Sequence, residues 1–388
     1  MNDPNRLILD GTKLAWHADT IRAWLAGERI APITVDCALS SSCTYQCVYC
    51  YGQLQRMNTG SWSRDMTMRF LDDAAEIGVK AISFVSDGES TCSPHLAEAV
   101  LHGKANGLDM ALASNGYLLR DGELPDILPA LTYLRFNISS GIRDGYCRIH
   151  GVPEKCYDKV LDTIRKAVVI KQRDKLDVTL GLQMVLMPEF ANEILPLARL
   201  GAELGVDYLV IKHCSDDEAG HLGVDYSGYA ALDDLLRQAE ALSTPGYAVH
   251  VKWSKIKNGR HRCYEHCYGP PFILQLSGSG LVAPCGMLFN DQYKRYHIGS
   301  LQQKSFKEIW QSDRYWEVMK LLADSQFDAR KDCGCLCLQH KANEFLWQVK
   351  EGAMNLDSSS SLYDEHWSRM MSEACSNKGE KPQHINFI

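Results

Sequence analysis

Ile33-Thr34-Val35-Asp36-Cys37-Ala38-Leu39-Ser40-Ser41-Ser42-Cys43-Thr44-Tyr45-Gln46-Cys47-Val48-Tyr49-Cys50 joins a short apolar run to a loop carrying three cysteines. The run from Ile33 to Leu39 reads as a β-strand, and the loop that leaves it spaces its thiols three and then two residues apart. Three thiolates so arranged can hold three irons of a four-iron, four-sulfur cluster, and no fourth cysteine in the run caps the last iron. Structural zinc is the alternative reading of cysteines at short spacing, and free cysteine is also a common small core residue. Zinc, however, usually takes four ligands as two short pairs, whereas Cys37 lies six residues upstream and the next cysteine is Cys92. The ligand count favours the cluster.

Outward from this loop, apolar runs alternate with amphipathic stretches from about residue 33 to 242. Strands are expected at residues 33–39, 80–85, 110–113, 133–138, 178–186 and 208–212, with helical spacing between them, as in Leu96, Val100 and Leu101 or Val160, Leu161, Ile164 and Val168. Ser93-Pro94 reads as an N-cap with proline at the first helical position, and Gly78, Gly107 and Gly205 fall where C-caps belong. Six βα units predict an α/β fold with a parallel sheet and outer helices. In parallel barrels the loops after the strands build the active site. Here polar clusters fall at those positions: the cysteine loop, Ser86-Asp87-Gly88-Glu89, Ser114-Asn115-Gly116, Ser139-Ser140-Gly141, Met187-Pro188-Glu189 and His213-Cys214-Ser215-Asp216-Asp217.

Before the barrel, Asp10-Gly11 between short apolar arms signals a hairpin from Leu7 to Leu14, and Asp19 opens a helix carrying Ile21, Trp24 and Leu25 on one face. Ser358-Ser359-Ser360-Ser361 marks a turn near the end. At 388 residues the chain exceeds what one core usually organises. A net charge of −7 gives no basic footprint for a nucleic-acid backbone, so nucleic acid is not an expected partner. The amino terminus lacks a signal-peptide layout and no apolar stretch reaches membrane-spanning length. Fifteen cysteines without such a signal point to a reducing, cytoplasmic compartment where thiolates are kept for metal.

The cysteine spacing, with Tyr49 directly before the last cysteine, resembles the cluster loop of the radical S-adenosylmethionine (SAM) enzymes, and six βα units resemble their partial (βα)6 TIM-like barrel. The resemblance implies that Cys43, Cys47 and Cys50 hold a 4Fe-4S cluster whose open iron binds SAM, and that an electron from the cluster releases a 5′-deoxyadenosyl radical. It places Tyr49 near the adenine, although core packing is the other reading of an aromatic there. Asp87-Gly88-Glu89 resembles the family's Gly-Gly-Glu segment, in which Gly88 and Glu89 would receive the methionine ammonium group, with Asp87 replacing the first glycine. Asn137 and Ser139 fall where the family contacts the ribose, or they are simple turn formers. Gln183 and Lys212 are polar residues in apolar runs that need partners, such as a SAM carboxylate or a substrate. Arg148-Ile149-His150-Gly151 resembles a segment common after the fourth strand in members acting on sugars and peptides, and is expected to face the barrel mouth.

After residue 250 the pattern changes: Cys263 and Cys267 precede Gly280 and Cys285, a capping box at Ser305-Phe306-Lys307-Glu308 opens a helix, and Cys333-Gly334-Cys335-Leu336-Cys337 follows. Twelve residues from Cys267 to Gly280 and four more to Cys285 resemble the opening of the family's auxiliary-cluster domains, SPASM and twitch. The compressed last group favours the single-cluster twitch form. The preferred auxiliary ligands are Cys267, Cys285, Cys333 and Cys337, with Cys335 or Cys263 as replacements, and a zinc knuckle is the competing reading. Cys375 stands in a polar tail. The domains expected are a cap at 1–30, the barrel at 31–245, the auxiliary iron–sulfur domain at 246–350 and a tail at 351–388.

The resemblance implies hydrogen abstraction from a C–H bond of a sugar-like or aminocyclitol small molecule, fed by an external electron donor such as flavodoxin or ferredoxin. The product is a ketone if an electron leaves through the auxiliary cluster, or an epimer if a thiol returns hydrogen; Cys214 and Cys147 are the candidate donors, each also readable as a passive core or loop cysteine. Dehydrogenation is the preferred outcome. The alternatives are a maturase acting on a ribosomal peptide and a non-catalytic iron–sulfur electron carrier, the latter opposed by the strand-end polar loops converging on one mouth.

Overall fold

A computed structural model describes residues 7, 11–55, 59–334, 337–352 and 384–388. The six expected strands are present within two residues of their expected ends: β1 (Thr34–Cys37), β2 (Ala81–Phe84), β3 (Asp109–Ser114), β4 (Leu131–Asn137), β5 (Thr179–Leu186) and β6 (Tyr208–His213). All six pair in parallel in chain order. A seventh parallel strand, β7 (Ala248–Val251), extends the sheet beyond β6. It runs on past residue 245, and its four residues, with His250 breaking the apolar run, are too short a signal to read alone.

Alternation along these strands separates two environments. Val35, Cys37, Ile82, Phe84, Leu134, Phe136, Leu182 and Ile211 join one core with helix residues such as Phe70, Leu96, Val160 and Leu197. Their neighbours Thr34, Asp36, Tyr133, Arg135, Gln183 and Lys212 line an interior cavity instead. The sheet is therefore apolar toward its helices and polar toward its lumen.

Helix ends obey local chemistry. Ser63 accepts a hydrogen bond from the Met66 amide to open the helix Arg64–Ile77, which closes at Gly78 with φ +99°. Gly107 and Gly205 are also left-handed, at φ +81° and +73°. Ser305 and Glu308 form the reciprocal capping box. At Ser93-Pro94 the helix begins later than expected, at Leu96, because the Ser93 hydroxyl is taken by the His95 amide in a preceding turn.

The amino-terminal hairpin expectation is corrected within the described residues. Gly11–His17 is a short 3-10 helix, not a strand arm. Its Leu14 and Ala15 are buried with Ile21, Phe272, Ala342 and Leu346, so burial against the helix His340–Lys350 replaces strand pairing. The expected helix follows at Ala18–Leu25, with Trp24 edge-on to Tyr268 and Phe272. Ser358 to Ser361 and Cys375 lie outside the described residues.

Residues 384–388 close the lumen at the strand starts. Thr34 Oγ1 donates to the Asn386 carbonyl (2.5 Å), Asn386 Nδ2 donates to Asp109 (2.7 Å), and His384 stacks on Tyr133 at 5.4 Å. The cysteine loop leaves the opposite end.

The carboxy-terminal cysteine region joins the same sheet. Strand β8 (Ile273–Leu276) pairs in parallel with β1, and β9 (Leu281–Ala283) and β10 (Gly299–Ser300) follow antiparallel. Their turn can reach β1 because Gly278 lacks a side chain: a Cβ there would run into the Ser41 nitrogen and the Ser40 carbonyl carbon. Gly278→Ala is expected to lower stability by about 1–3 kcal/mol through backbone overpacking, read as a lower thermal midpoint, whereas Gly246→Ala, which meets nothing within 4 Å, should leave the midpoint near wild type.

Candidate active site

Backbone hydrogen bonds fix the cysteine loop before any metal is considered. Gln46 N donates to the His150 carbonyl (3.1 Å) and Val48 N to that of Ile149 (2.9 Å), so the loop rests on the end of the helix Arg143–His150. That helix stops at Gly151, φ +64°, where a Cβ would meet the Gln46 carbonyl oxygen at 2.8 Å. The segment Arg148-Ile149-His150-Gly151 is thus the cradle of the loop.

N–H groups point at the loop sulfurs. Cys43 Sγ accepts from Tyr45 N (3.4 Å) and Asn115 Nδ2 (3.7 Å). The His150 ring lies between Ser139 and Cys47: the Ser139 amide can only donate, to Nε2 at 3.1 Å, so the ring proton sits on Nδ1, 3.1 Å from Cys47 Sγ and 3.4 Å from the Tyr49 hydroxyl. Burial holds His150 near pKa 3, hence neutral. Burial also pushes Cys43 up to about 12 and Cys47 higher. Thiols in this state ionise when a cation takes the proton's place, and sulfur ringed by N–H donors suits a thiolate-bound iron–sulfur cluster.

The remaining expected cofactor contacts divide into two groups. Glu89 is buried; Oε1 accepts from the Thr91 amide (3.1 Å), the Thr91 hydroxyl (2.8 Å) and the Ser114 hydroxyl (2.9 Å), and Oε2 from the Asn115 amide (2.8 Å). Glu89 therefore ties the loops after β2 and β3 together beside Cys43. A Cβ on Gly88 would strike the Ser40 carbonyl oxygen, so only glycine fits there. Ser139 is fully buried, its hydroxyl accepting from Val185 N at 3.1 Å. Asn137 accepts from Gln183 Nε2 at 2.9 Å, and Gln183 and Lys212 line the lumen with Arg135 and Asp36.

Of the two candidate hydrogen donors, Cys214 is fully buried, its Sγ 3.7 Å from the carbonyl oxygens of Tyr49 and Ser215. Cys147 lies on the helix Arg143–His150 near Glu154, Asp144 and Cys156, where burial pushes its thiol up.

The later cysteines form a second group. Cys285 and Cys337 share a hydrogen bond that, with the Arg262 and Lys255 charges, holds Cys337 low, while the same bond and burial hold Cys285 high. Cys267 Sγ accepts from Asn343 Nδ2 (3.4 Å), Cys285 Sγ from Met287 N (3.4 Å), and Cys333 Sγ from Arg262 Nη2 (3.6 Å). Cys263 stands apart, exposed and 3.9 Å from Glu344 Oε1. Cys335 lies outside the described residues. Among the described residues no three Cys, His, Asp or Glu side chains are close enough to hold a single metal ion.

Asp87, the departure from the Gly-Gly-Glu pattern, joins the two regions. Its carboxylate accepts from Ser277 Oγ (2.5 Å) and Gly278 N (2.8 Å), and burial raises its pKa. Tyr51 Oη donates to the Met287 carbonyl (3.0 Å), Asn290 Nδ2 to that of Leu54 (3.1 Å), and Gln55 to that of Gly286. Single-residue reading of the sequence missed Asp36, Arg135 and the role of His150. Charged residues at alternate positions of apolar strands were the available signal for the first two.

The profile of the radical SAM superfamily matches residues 38–200, and that of the SPASM iron-sulfur cluster-binding domain matches 267–337. The chain belongs to the radical SAM superfamily. The SPASM match begins at Cys267 and ends at Cys337, the outermost of the preferred auxiliary ligands, and it names SPASM where the cysteine count favoured twitch. This radical SAM protein is 26% identical over 329 residues to the AdoMet-dependent heme synthase of Methanosarcina barkeri, covering 78% of this chain and 88% of that one. It is 22% identical over 313 residues to the tungsten-containing aldehyde ferredoxin oxidoreductase cofactor-modifying protein of Pyrococcus furiosus, covering 76% and 85%. Among solved structures, Streptococcus suis SuiB bound to S-adenosylmethionine aligns with TM-score 0.60 and 14% identity over 79% of this chain and 72% of that one. Native anSMEcpe with bound AdoMet aligns with TM-score 0.55 and 14% identity over 89% and 100%. The cofactors of this radical SAM protein are a 4Fe-4S cluster, SAM and auxiliary iron–sulfur. No described helix is long and apolar enough to cross a membrane.

Replacing the neutral ring that faces Cys47 isolates its effect on the loop. His150→Phe keeps an aromatic of similar size and removes the N–H···S bond. If the loop cysteines hold the 4Fe-4S cluster, iron content should hold while its reduction potential falls, because hydrogen bonds to sulfur stabilise the reduced state; a redox titration followed by electron paramagnetic resonance checks this.

Proposed function

We propose that this radical SAM enzyme removes a hydrogen atom from a C–H bond of a small, hydroxyl-bearing substrate of the sugar-like or aminocyclitol kind, held in the barrel lumen, and releases an oxidised product. Cys43, Cys47 and Cys50 would hold the loop cluster, and Cys267, Cys285, Cys333 and Cys337 the auxiliary one. When bound, the loop cluster with SAM supplies a 5′-deoxyadenosyl radical, and the auxiliary cluster an electron sink. The chain's own residues do the rest: Glu89 and Gly88 hold the strand-end loops at the mouth, and Gln183 and Asn137 present amide groups at the top of the lumen. A reduced flavodoxin or ferredoxin is the proposed electron source.

The observation that carries the oxidative reading is the setting of Cys214. A thiol that returns hydrogen to the opposite face of a substrate has to reach it, whereas Cys214 is sealed between the Tyr49 and Ser215 carbonyls. The small-molecule reading is supported by the polar lumen under the loop. It is also supported by the names of the two sequence relatives, one a heme synthase and the other a cofactor-modifying protein.

Reduced, anaerobically reconstituted protein should cleave SAM to 5′-deoxyadenosine. Cys43→Ala, Cys47→Ala and Cys50→Ala should each abolish that cleavage and remove one cluster's iron, about four atoms. Cys267→Ala and Cys285→Ala should retain SAM cleavage and lose product formation. Chromatography and iron assay read both, and cleavage surviving in all three loop variants would refute the ligand assignment.

Turnover in deuterated water separates the two outcomes. Oxidation should give a ketone in equal yield from wild type and Cys214→Ser. Epimerisation through a solvent-exchangeable thiol would instead place one deuterium at an inverted carbon, and that product would vanish in the variant. Mass spectrometry of the product decides between them.

A further inference from the structure

We propose that the barrel lumen is an anion-binding chamber, so that the substrate carries a carboxylate or phosphate group. This rests on the reading of the lumen as the substrate site. The chain as a whole is acidic, at −7, yet its interior cavity of about 170 Å³ is lined by Lys13, Arg135, Lys212, Lys252, Lys255 and Lys341. Asp36 is the carboxylate side chain among the described lining residues. Charge of this sign gathered inside an acidic protein is local design, since a solvated face would disperse it.

The cations are not all equal. Lys341 pairs with Glu344 at 2.6 Å, Lys13 donates to the His384 carbonyl at 3.2 Å, and Lys252 and Lys255 also interact within the protein, so the case for a ligand turns on Arg135 and Lys212. Arg135 stacks on Tyr133, its guanidinium carbon 5.6 Å from the ring centre, and its buried Nε has no hydrogen-bond partner among the described residues. Leaving a buried donor in this state is unfavourable, and an acceptor on a ligand would satisfy it.

Lys212 is crowded by like charge. Burial first, then Lys255, Arg135 and Lys252, push its ammonium well below the ordinary lysine range. Asp36 offers little compensation: burial lifts it to about 7, so near neutrality it carries only part of a charge. A bound anion reverses the first effect, because opposite charge within a few ångströms favours the charged lysine, and as a like charge to Asp36 it favours the neutral carboxyl there.

Depth along the strands gives the anion a mechanical role. Inward residues of β4 run Tyr133, Arg135, Asn137 toward the mouth, and Asn137 is already bonded to Gln183 at the top of the lumen. Arg135 sits one inward step deeper, about 7 Å along the strand. An anionic group anchored there would orient the remainder of the substrate toward the cysteine loop, and binding energy away from the reacting bond would be spent on position.

SAM also carries a carboxylate, so the test must separate the two sources. Reconstituted holoenzyme, both without SAM and saturated with it, is titrated by calorimetry with inorganic phosphate and, separately, with glutarate. Binding of either probe is expected in wild type, about tenfold weaker in Arg135→Gln and Lys255→Gln, and largely kept in Arg135→Lys; iron content and thermal midpoint verify folding in each variant. If SAM saturation abolishes probe binding, the cations serve the cofactor and the proposal falls. It also falls if neither probe binds, or if Arg135→Gln and Lys255→Gln bind as wild type does. SAM cleavage without probe binding would remove this inference and leave the radical reading intact, and probe binding without SAM cleavage would do the reverse.

Discussion

The backbone of Ser40 and Ser41, at the point where β1 ends, is approached from two sides by residues that have no side chain. Gly88 presses on it from the loop after β2, and Gly278 from the β8–β9 turn. The Ser41 amide is held to the Gly60 carbonyl at 2.9 Å, and Glu89 N to that of Ser42 at 2.9 Å. Three segments far apart in sequence are therefore locked to the stretch immediately before Cys43. Without this close packing the cysteine loop would have no fixed direction relative to the lumen, and β8 could not lie against β1.

Electrostatics then divides the molecule in a way that packing alone does not. Around the cysteine loop the protein supplies neutral donors: backbone amides, the Asn115 amide and a His150 whose charge is suppressed by burial. A cationic ring there would add charge to a site proposed to hold iron, which carries charge of its own. In the lumen the protein does the opposite and concentrates Arg and Lys around a partly protonated Asp36. Neutral donors at the sulfurs and cations in the chamber suit different ligands, so they need not compete.

Much of this was legible in the sequence because it depended on local rules. Six strands followed from apolar runs, left-handed glycines from helix ends, and the cysteine loop from spacing. What escaped depended on distant partners. Strand β7 is four residues long and exists because β6 offers it an edge, and β8 reads as the start of a separate domain until it is seen beside β1. The Asp10-Gly11 turn signal was outweighed by burial of Leu14 and Ala15 against the helix His340–Lys350. Asp87 looked like a weakened motif; its reason lies in Ser277 and Gly278, 190 and 191 residues away. His150 had no readable role, since its function is set by two atoms on other segments, Ser139 N and Cys47 Sγ.

The link through Asp87 has a further consequence for how the two cysteine groups relate. Four separate side chains, Asp87, Tyr51, Gln55 and Asn290, cross between the loop region and the segment from Ser277 to Asn290. Tyr51 directly follows Cys50, and its acceptor, the Met287 carbonyl, is two residues from Cys285. A chain that only appended an iron–sulfur module would be expected to join it through a flexible linker and a small polar interface. Here the module contributes strands to the barrel sheet, and its first hairpin is bonded to the loop that precedes Glu89. Any displacement of Cys285 relative to Cys50 would have to break several partly buried hydrogen bonds at once, so the separation of the two candidate metal sites is set by the fold itself.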